Sequence, residues 1–166
     1  MAFFEETIAA LNRSDVRYVV VGGLAVVLHG HARLTVDLDL VVDLDPEEAR
    51  KAVEALLDLG LVPAVPVEAM DFADPEARAR WIEEKNMRVF PMRHPGDDLR
   101  RVDLFVEHPM EFSGLWERSV TISLESAAVR VASVPDLVAM KRQAGRLQDL
   151  ADVEALEAIL EERPHR

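Results

Sequence analysis

Asp37 and Asp39, within the stretch TVDLDLVVDLD (35–45), are the residues of this chain best placed to do chemistry. Side chains along a strand alternate faces, so Val36, Leu38, Leu40, Val42 and Leu44 share one side and Asp37, Asp39, Asp43 and Asp45 the other. At ~3.3 Å rise per residue, the Cα atoms of Asp37 and Asp39 lie roughly 6.6 Å apart on that face. Two carboxylates so placed repel each other, and the simplest relief is a divalent cation. Hard oxygen donors suit Mg²⁺, which takes one or two carboxylates and fills its shell with water and phosphate oxygens. RVDLFV (101–106) supplies a third acid: Val102, Leu104 and Val106 form an apolar face and Asp103 points the other way. If this strand neighbours TVDLDLVVDLD, three aspartates converge, enough to hold two ions about 3.5–4 Å apart. Taken alone, DLDL reads more simply as a solvated acidic strand face, and that is the reading for Asp43 and Asp45, next to Pro46.

Gly22-Gly23 is the second feature. It closes the apolar run YVVV, and the segment after it reads as a helix. A helix N-terminus presents free N–H groups to an anion, and glycine lets the backbone approach a phosphate closely. A lone glycine pair is more often just a tight strand-to-helix turn. Neither G-x-G-x-x-G nor the Walker A sequence occurs, so the Rossmann and P-loop readings lack their motifs.

The combination says more than its parts. Thirteen residues separate Gly23 from Asp37, giving the pattern apolar–Gly–Gly, thirteen residues, Asp–apolar–Asp–apolar. In this the chain resembles the nucleotidyltransferases of the DNA polymerase β-like superfamily, over the span from Tyr18 to Val106. The resemblance implies a mixed, twisted central sheet flanked by helices, an α/β (α+β) fold, with two Mg²⁺ (or Mn²⁺) ions and an NTP at its edge. It implies that Gly22 and Gly23 hold the triphosphate and that Asp37, Asp39 and Asp103 are the catalytic, metal-binding carboxylates. Asp103 would also help to activate the attacking hydroxyl. Near the C-terminus, KRQAGRLQDLADVEAL looks like the closing region of small AbiEii-type nucleotidyltransferases, toxins paired with an antitoxin protein. There Lys141 is the candidate for a nucleotide phosphate, with Arg146 and Asp149 as further candidates. Surface ion pairing is the plainer role for Arg142, Arg146 and Asp149. Arg33, two residues before Thr35, is a candidate for phosphate or for an ion pair with the aspartate cluster.

The elements that must position these residues alternate along the chain. A helix is expected over 2–12, a strand at 18–21, a short helix at 24–29 closed by Gly30, and the strand at 35–44. Pro46-Glu47-Glu48 opens a helix that Gly60 stops. A less regular stretch follows, with a helix start at Asp74-Pro75-Glu76. MRVFPM and RVDLFV are strands separated by the turn-rich HPGDD, 109–119 is a short helix, and TISLES and AAVRVAS pair. Ser133 caps a helical stretch reaching Glu162, continuous or broken. The expected organisation is one nucleotidyltransferase domain over 1–166, an α/β core to 134 and C-terminal helices from 135.

Composition narrows the function classes. The 166 residues carry 19 basic and 31 acidic side chains, a formal charge of −12, which repels long nucleic acid backbones but permits a local phosphate cradle. The chain has no cysteine, which excludes disulfides, thiol catalysis and cysteine-ligated zinc, and His29 and His31 lack zinc spacing. Apolar runs are too short to span a membrane and MAFFEETIAALNRS is not a secretory leader, so a cytoplasmic protein is expected. Trp81 and Lys85 read as a core indole and a solvated lysine. The expected partners are an NTP, an acceptor hydroxyl on an RNA end or a protein, and an antitoxin; extended DNA is not among them. The reaction that the resemblance implies is metal-dependent transfer of NMP with release of pyrophosphate. The competing reading is a non-catalytic nucleotide- or partner-binding module of a two-protein system.

Overall fold

The computed structural model describes residues 2–163. Its elements are α1 (Ala2–Arg13), β1 (Tyr18–Val21), α2 (Gly22–Leu28), β2 (Leu38–Val42), α3 (Pro46–Asp58), β3 (Val62–Pro63), a 3-10 helix (Ala69–Ala73), α4 (Pro75–Lys85), β4 (Val89–His94), β5 (Asp97–Phe105), α5 (Phe112–Arg118), β6 (Val120–Ser123), β7 (Ala128–Val131), α6 (Val134–Ala144) and α7 (Leu147–Glu162). The strands form one mixed sheet in the order β3-β4-β5-β2-β1-β7-β6. β1 runs antiparallel to β2 and parallel to β7, and β2 runs parallel to β5. This is the α/β architecture expected, a mixed sheet with helices packed on it.

Local sequence explains most boundaries. The Asp45 carboxylate accepts a hydrogen bond from the Glu47 N–H and Pro46 fills the first turn of α3; Asp74 and Pro75 do the same for α4. Ser133 caps α6 by accepting from the Asp136 N–H. Asn86 and Gly145, both with positive φ, end α4 and α6. The core is continuous: Leu38, Leu40, Val102 and Leu104 are fully buried, and the Phe90 ring stacks on both Phe72 and Trp81. Trp81 is thus a core residue, as read from the sequence.

One expectation is corrected and one left open is decided. The strand read over 35–44 is ordered as a ladder only from Leu38 to Val42. β1 ends opposite Asp39 before the chain turns into α2, and pairing with β5 begins at Leu38, so residues 35–37 have no neighbour in the sheet. The alternation persists there without a core to meet it, and Val36 is 49% exposed. Of the two forms expected for the C-terminal helical stretch, the broken one occurs: Gly145 (φ 68°) ends α6, and α7 folds back against it. Because Ser133 satisfies an otherwise free N–H of the helix that carries Lys141, Ser133→Ala should cost about 1 kcal/mol of stability, read from denaturant melts.

Candidate active site

Pairing geometry brings two of the aspartates together. In the parallel β2–β5 ladder Asp39 and Asp103 are direct register partners, so their side chains leave the same face of the sheet. Asp37 lies one step outside the ladder, close enough for its charge to act on both. Burial, then the charges of Asp103 and Asp37, push the Asp39 carboxyl up from 3.8 to about 7, against the opposing pull of Lys141 and Arg101. Asp103 is buried and also raised, chiefly by desolvation, with the Arg101 side chain pulling it the other way. The Arg101 Nε donates to Asp103 Oδ1 at 2.9 Å.

β1 also ends here. Val21 is the register partner of Asp39, and Gly22 follows with φ 71° as the chain enters α2. A Cβ at Gly22 would stand 2.2 Å from Asp39 Oδ2, so only glycine lets the turn pass this close to the carboxylate. At Gly23 a Cβ would stand 2.8 Å from Thr35 Oγ1 and 3.1 Å from Arg33 Nη1. The half-buried residues Arg33, Thr35, Asp37 and Asp39 alternate with exposed Leu34 and Val36, which turns the Arg33 and Thr35 side chains toward the glycine turn.

The C-terminal helices close the group. Lys141 is buried, and its Nζ lies 2.9 Å from Asp152 Oδ2 and 3.4 Å from Asp149 Oδ1. Arg33 Nη1 donates to Asp152 Oδ2 at 2.6 Å. Arg33 therefore has an aspartate partner, but it is Asp152 of α7 and not a member of the 37/39/103 cluster. Arg146 Nε donates to Asp149 Oδ2 at 2.7 Å. Burial pushes Asp149 up, but the Arg146 hydrogen bond and the Lys141 charge outweigh it and hold this carboxyl below its usual value.

The two adjacent strand-end aspartates thus share one region with the glycine turn, Lys141, Arg33 and the Arg146–Asp149 pair. Asp43 and Asp45 lie outside it, in an ion pair with Arg17 and at the cap of α3. His29 is buried with Nε2 2.8 Å from the Ala132 carbonyl, which gives it a packing role. Sequence reading left out Arg101 and Asp152 as site residues. Arg101 had a signal, since it lies two residues before Asp103 and so on the same strand face. Asp152 had only its distance from Lys141, which misleads across a broken helix.

Asp37, Asp39 and Asp103 offer hard carboxylate oxygens of the kind that suit Mg²⁺, and Gly22 keeps the space against Asp39 free of a side chain. Among the described residues no three His, Cys, Asp or Glu side chains are already gathered as a metal-holding group. No helix among them is long and apolar enough to cross a membrane.

Known proteins share this fold. Among solved structures the chain is similar to the lincosamide antibiotic adenylyltransferase LnuA in its lincomycin-bound form, at 17% identity and a TM-score of 0.59 over 90% of each chain. The antibiotic-resistance factor ANT(2'')-Ia matches at 12% identity and a TM-score of 0.59, over 96% of this chain and 83% of the other. An antigenic nucleotidyltransferase-like protein from Paracoccidioides brasiliensis matches at 16% identity and 0.55, over 96% and 75%. At these identities the likeness is one of fold. No curated protein matches by sequence. The profile of one family, "Nucleotidyltransferase of unknown function (DUF6036)", matches residues 1–162. That match takes in the whole sheet, the glycine turn, the three aspartates and both C-terminal helices, and the chain belongs to that nucleotidyltransferase family.

Proposed function

We propose that the protein transfers NMP from an NTP to an acceptor hydroxyl, with Mg²⁺ or Mn²⁺, and releases pyrophosphate. The observation that carries this reading is the register pairing of Asp39 with Asp103 directly beside the Gly22 turn. Asp37, Asp39 and Asp103 would hold two divalent ions, whose chemistry is to neutralise charge on the transferring phosphoryl group and its leaving group. Gly22 and Gly23 let the backbone approach the triphosphate, and Lys141 and Arg33, with Arg146 beside them, supply positive charge to it. The acceptor oxygen attacks the α-phosphorus, the bond to the bridging oxygen of the β-phosphate breaks, and the hydroxyl proton passes to Asp103. The work of these residues is positioning and charge balance.

Charge supports the need for cations. With every carboxylate ionised, as metal binding requires, Asp37, Asp39, Asp103, Asp149 and Asp152 contribute −5, and Arg33, Arg101, Lys141 and Arg146 contribute +4, leaving −1. A polyphosphate meets net repulsion until divalent cations enter. The overall charge of −12 favours an acceptor that is not a long polyanion: a protein hydroxyl, one RNA end held locally, or a small hydroxylated compound. Two structural neighbours are an antibiotic adenylyltransferase and an antibiotic-resistance factor, which supports including antibiotics among the acceptors. The toxin role with an antitoxin partner rests on the AbiEii-like pattern at Lys141, Arg146 and Asp149.

The test is label transfer from each of four α-labelled NTPs with Mg²⁺ or Mn²⁺. Total RNA, cell protein and a panel of antibiotics that includes lincomycin would be the acceptors, with the D37A/D39A double variant as control. Label on one acceptor class, with equimolar pyrophosphate and loss in the variant, is the expected result. Metal-dependent NTP binding with no transfer to any acceptor would favour the non-catalytic binding module instead.

A further inference from the structure

Asp152 is fully buried, and its carboxylate joins three parts of the chain that sequence keeps apart. Its Oδ2 accepts from Arg33 Nη1 at 2.6 Å and lies 2.9 Å from Lys141 Nζ, while Oδ1 accepts from Gln148 Nε2 at 3.1 Å. Both cations therefore share one oxygen. Arg33 stands over the glycine turn, 3.1 Å from the place a Gly23 Cβ would take, and Lys141 acts on the Asp39 charge. Arg33 and Lys141 carry long flexible side chains, and ordering such chains at the moment of binding weakens affinity. A carboxylate already holding both removes that cost.

We propose that Asp152 is a positioning residue of the nucleotide site: it holds Arg33 and Lys141 as a preformed pair of cations for the NTP phosphates, and so makes α7 part of that site. The inference rests on the nucleotidyl-transfer reading and adds a residue to it. Two roles for Asp152 predict opposite signs. As a simple neutraliser of nearby positive charge, its removal would strengthen phosphate binding. As a positioning residue, its removal weakens binding, because the two cations lose the geometry that lets them meet phosphate together.

The experiment measures the Kd of the full chain for the Mg²⁺ complexes of α,β-methylene analogues of the four NTPs, by calorimetry, for wild type, D152N, R33Q and the double variant. Thermal melts run alongside. Expected for D152N is binding about 10–100-fold weaker, the range typical when a group that orients a ligand-holding residue is removed. The double variant should be weaker than R33Q, but by less than the loss D152N causes in wild type, since Arg33 is one of the two groups Asp152 acts through and Lys141 is the other. A folded D152N with unchanged or tighter binding overturns the proposal, whatever its melting temperature. Hydrogen exchange on the wild type gives a readout that needs no variant: the analogue should slow exchange in the α6–α7 joint around Gly145 and the first turns of α7, and unchanged exchange there overturns the proposal. Wild type that binds none of the four analogues refutes the nucleotidyl-transfer reading itself, a result distinct from loss in D152N alone.

Discussion

Asp39→Asn is expected to lower nucleotidyl transfer by at least ~10³-fold while making the metal-free protein more stable at neutral pH. The catalytic loss follows from removing a carboxylate that would hold the divalent ions, whose charge offsets that of the transferring phosphoryl group. That role is worth several kcal/mol, and ~1.4 kcal/mol corresponds to tenfold in rate. The stability gain follows from the site's own electrostatics. Burial, with Asp103 and Asp37 adding to it, lifts the Asp39 carboxyl to about 7 in the folded protein, well above its value of 3.8 in an unfolded chain. Between those two values the native state binds more protons than the unfolded state, so stability falls as pH rises through the window. Below about pH 4 both states are protonated and the penalty is absent; above about pH 7 it is complete, on the order of 4 kcal/mol. The asparagine variant has no such titration. Its advantage over wild type in thermal melts with chelator should therefore grow from pH 4 to pH 7 and then level off. Added Mg²⁺ should raise the wild-type Tm and leave the variant's nearly unchanged. A variant with wild-type turnover, or equal response to Mg²⁺ in both proteins, would remove Asp39 from the site.

Gly22→Ala carries the next largest effect. At φ 71° an alanine is held in the left-handed region, at a cost of roughly 1–2 kcal/mol. Its Cβ would also fall 2.2 Å from Asp39 Oδ2, 2.9 Å from Cγ and 3.1 Å from Cβ of the same residue, so the whole aspartate side chain has to swing away. Displacement of a positioning group by about 1 Å can cost ~10²-fold in rate, and that is the loss expected in turnover. Gly23→Ala is the control. It shares the proposed phosphate turn, but its φ is ordinary and a Cβ there would meet Thr35 Oγ1 and the Arg33 guanidinium rather than Asp39, so a smaller loss is expected. Turnover and melts of both variants decide the matter: if Gly23→Ala loses as much as Gly22→Ala, backbone approach to Asp39 is not what the glycine pair provides.

The sequence by itself determined the local features of this protein. Period-two alternation put Asp37 and Asp39 on one face and Asp103 opposite the apolar face of its own strand. The glycine pair marked the strand-to-helix turn, and Asp45, Asp74 and Ser133 marked helix starts. These signals are legible because each depends on dihedral preferences and hydrogen bonds reaching only a few residues along the chain.

Which of these features meet depends on packing between distant segments. The parallel pairing of β2 with β5 joins segments some sixty residues apart, and periodicity says nothing about strand order. The shortening of β2 followed from where its neighbours stop, which no residue between 35 and 37 encodes. Arg33 looked equally fit for a phosphate or for the nearby aspartates; its partner is an aspartate on the last helix, because the break at Gly145 folds α7 back against α6. Long-range ion pairs such as Arg33–Asp152 and Lys141–Asp152 depend on packing summed over the whole core.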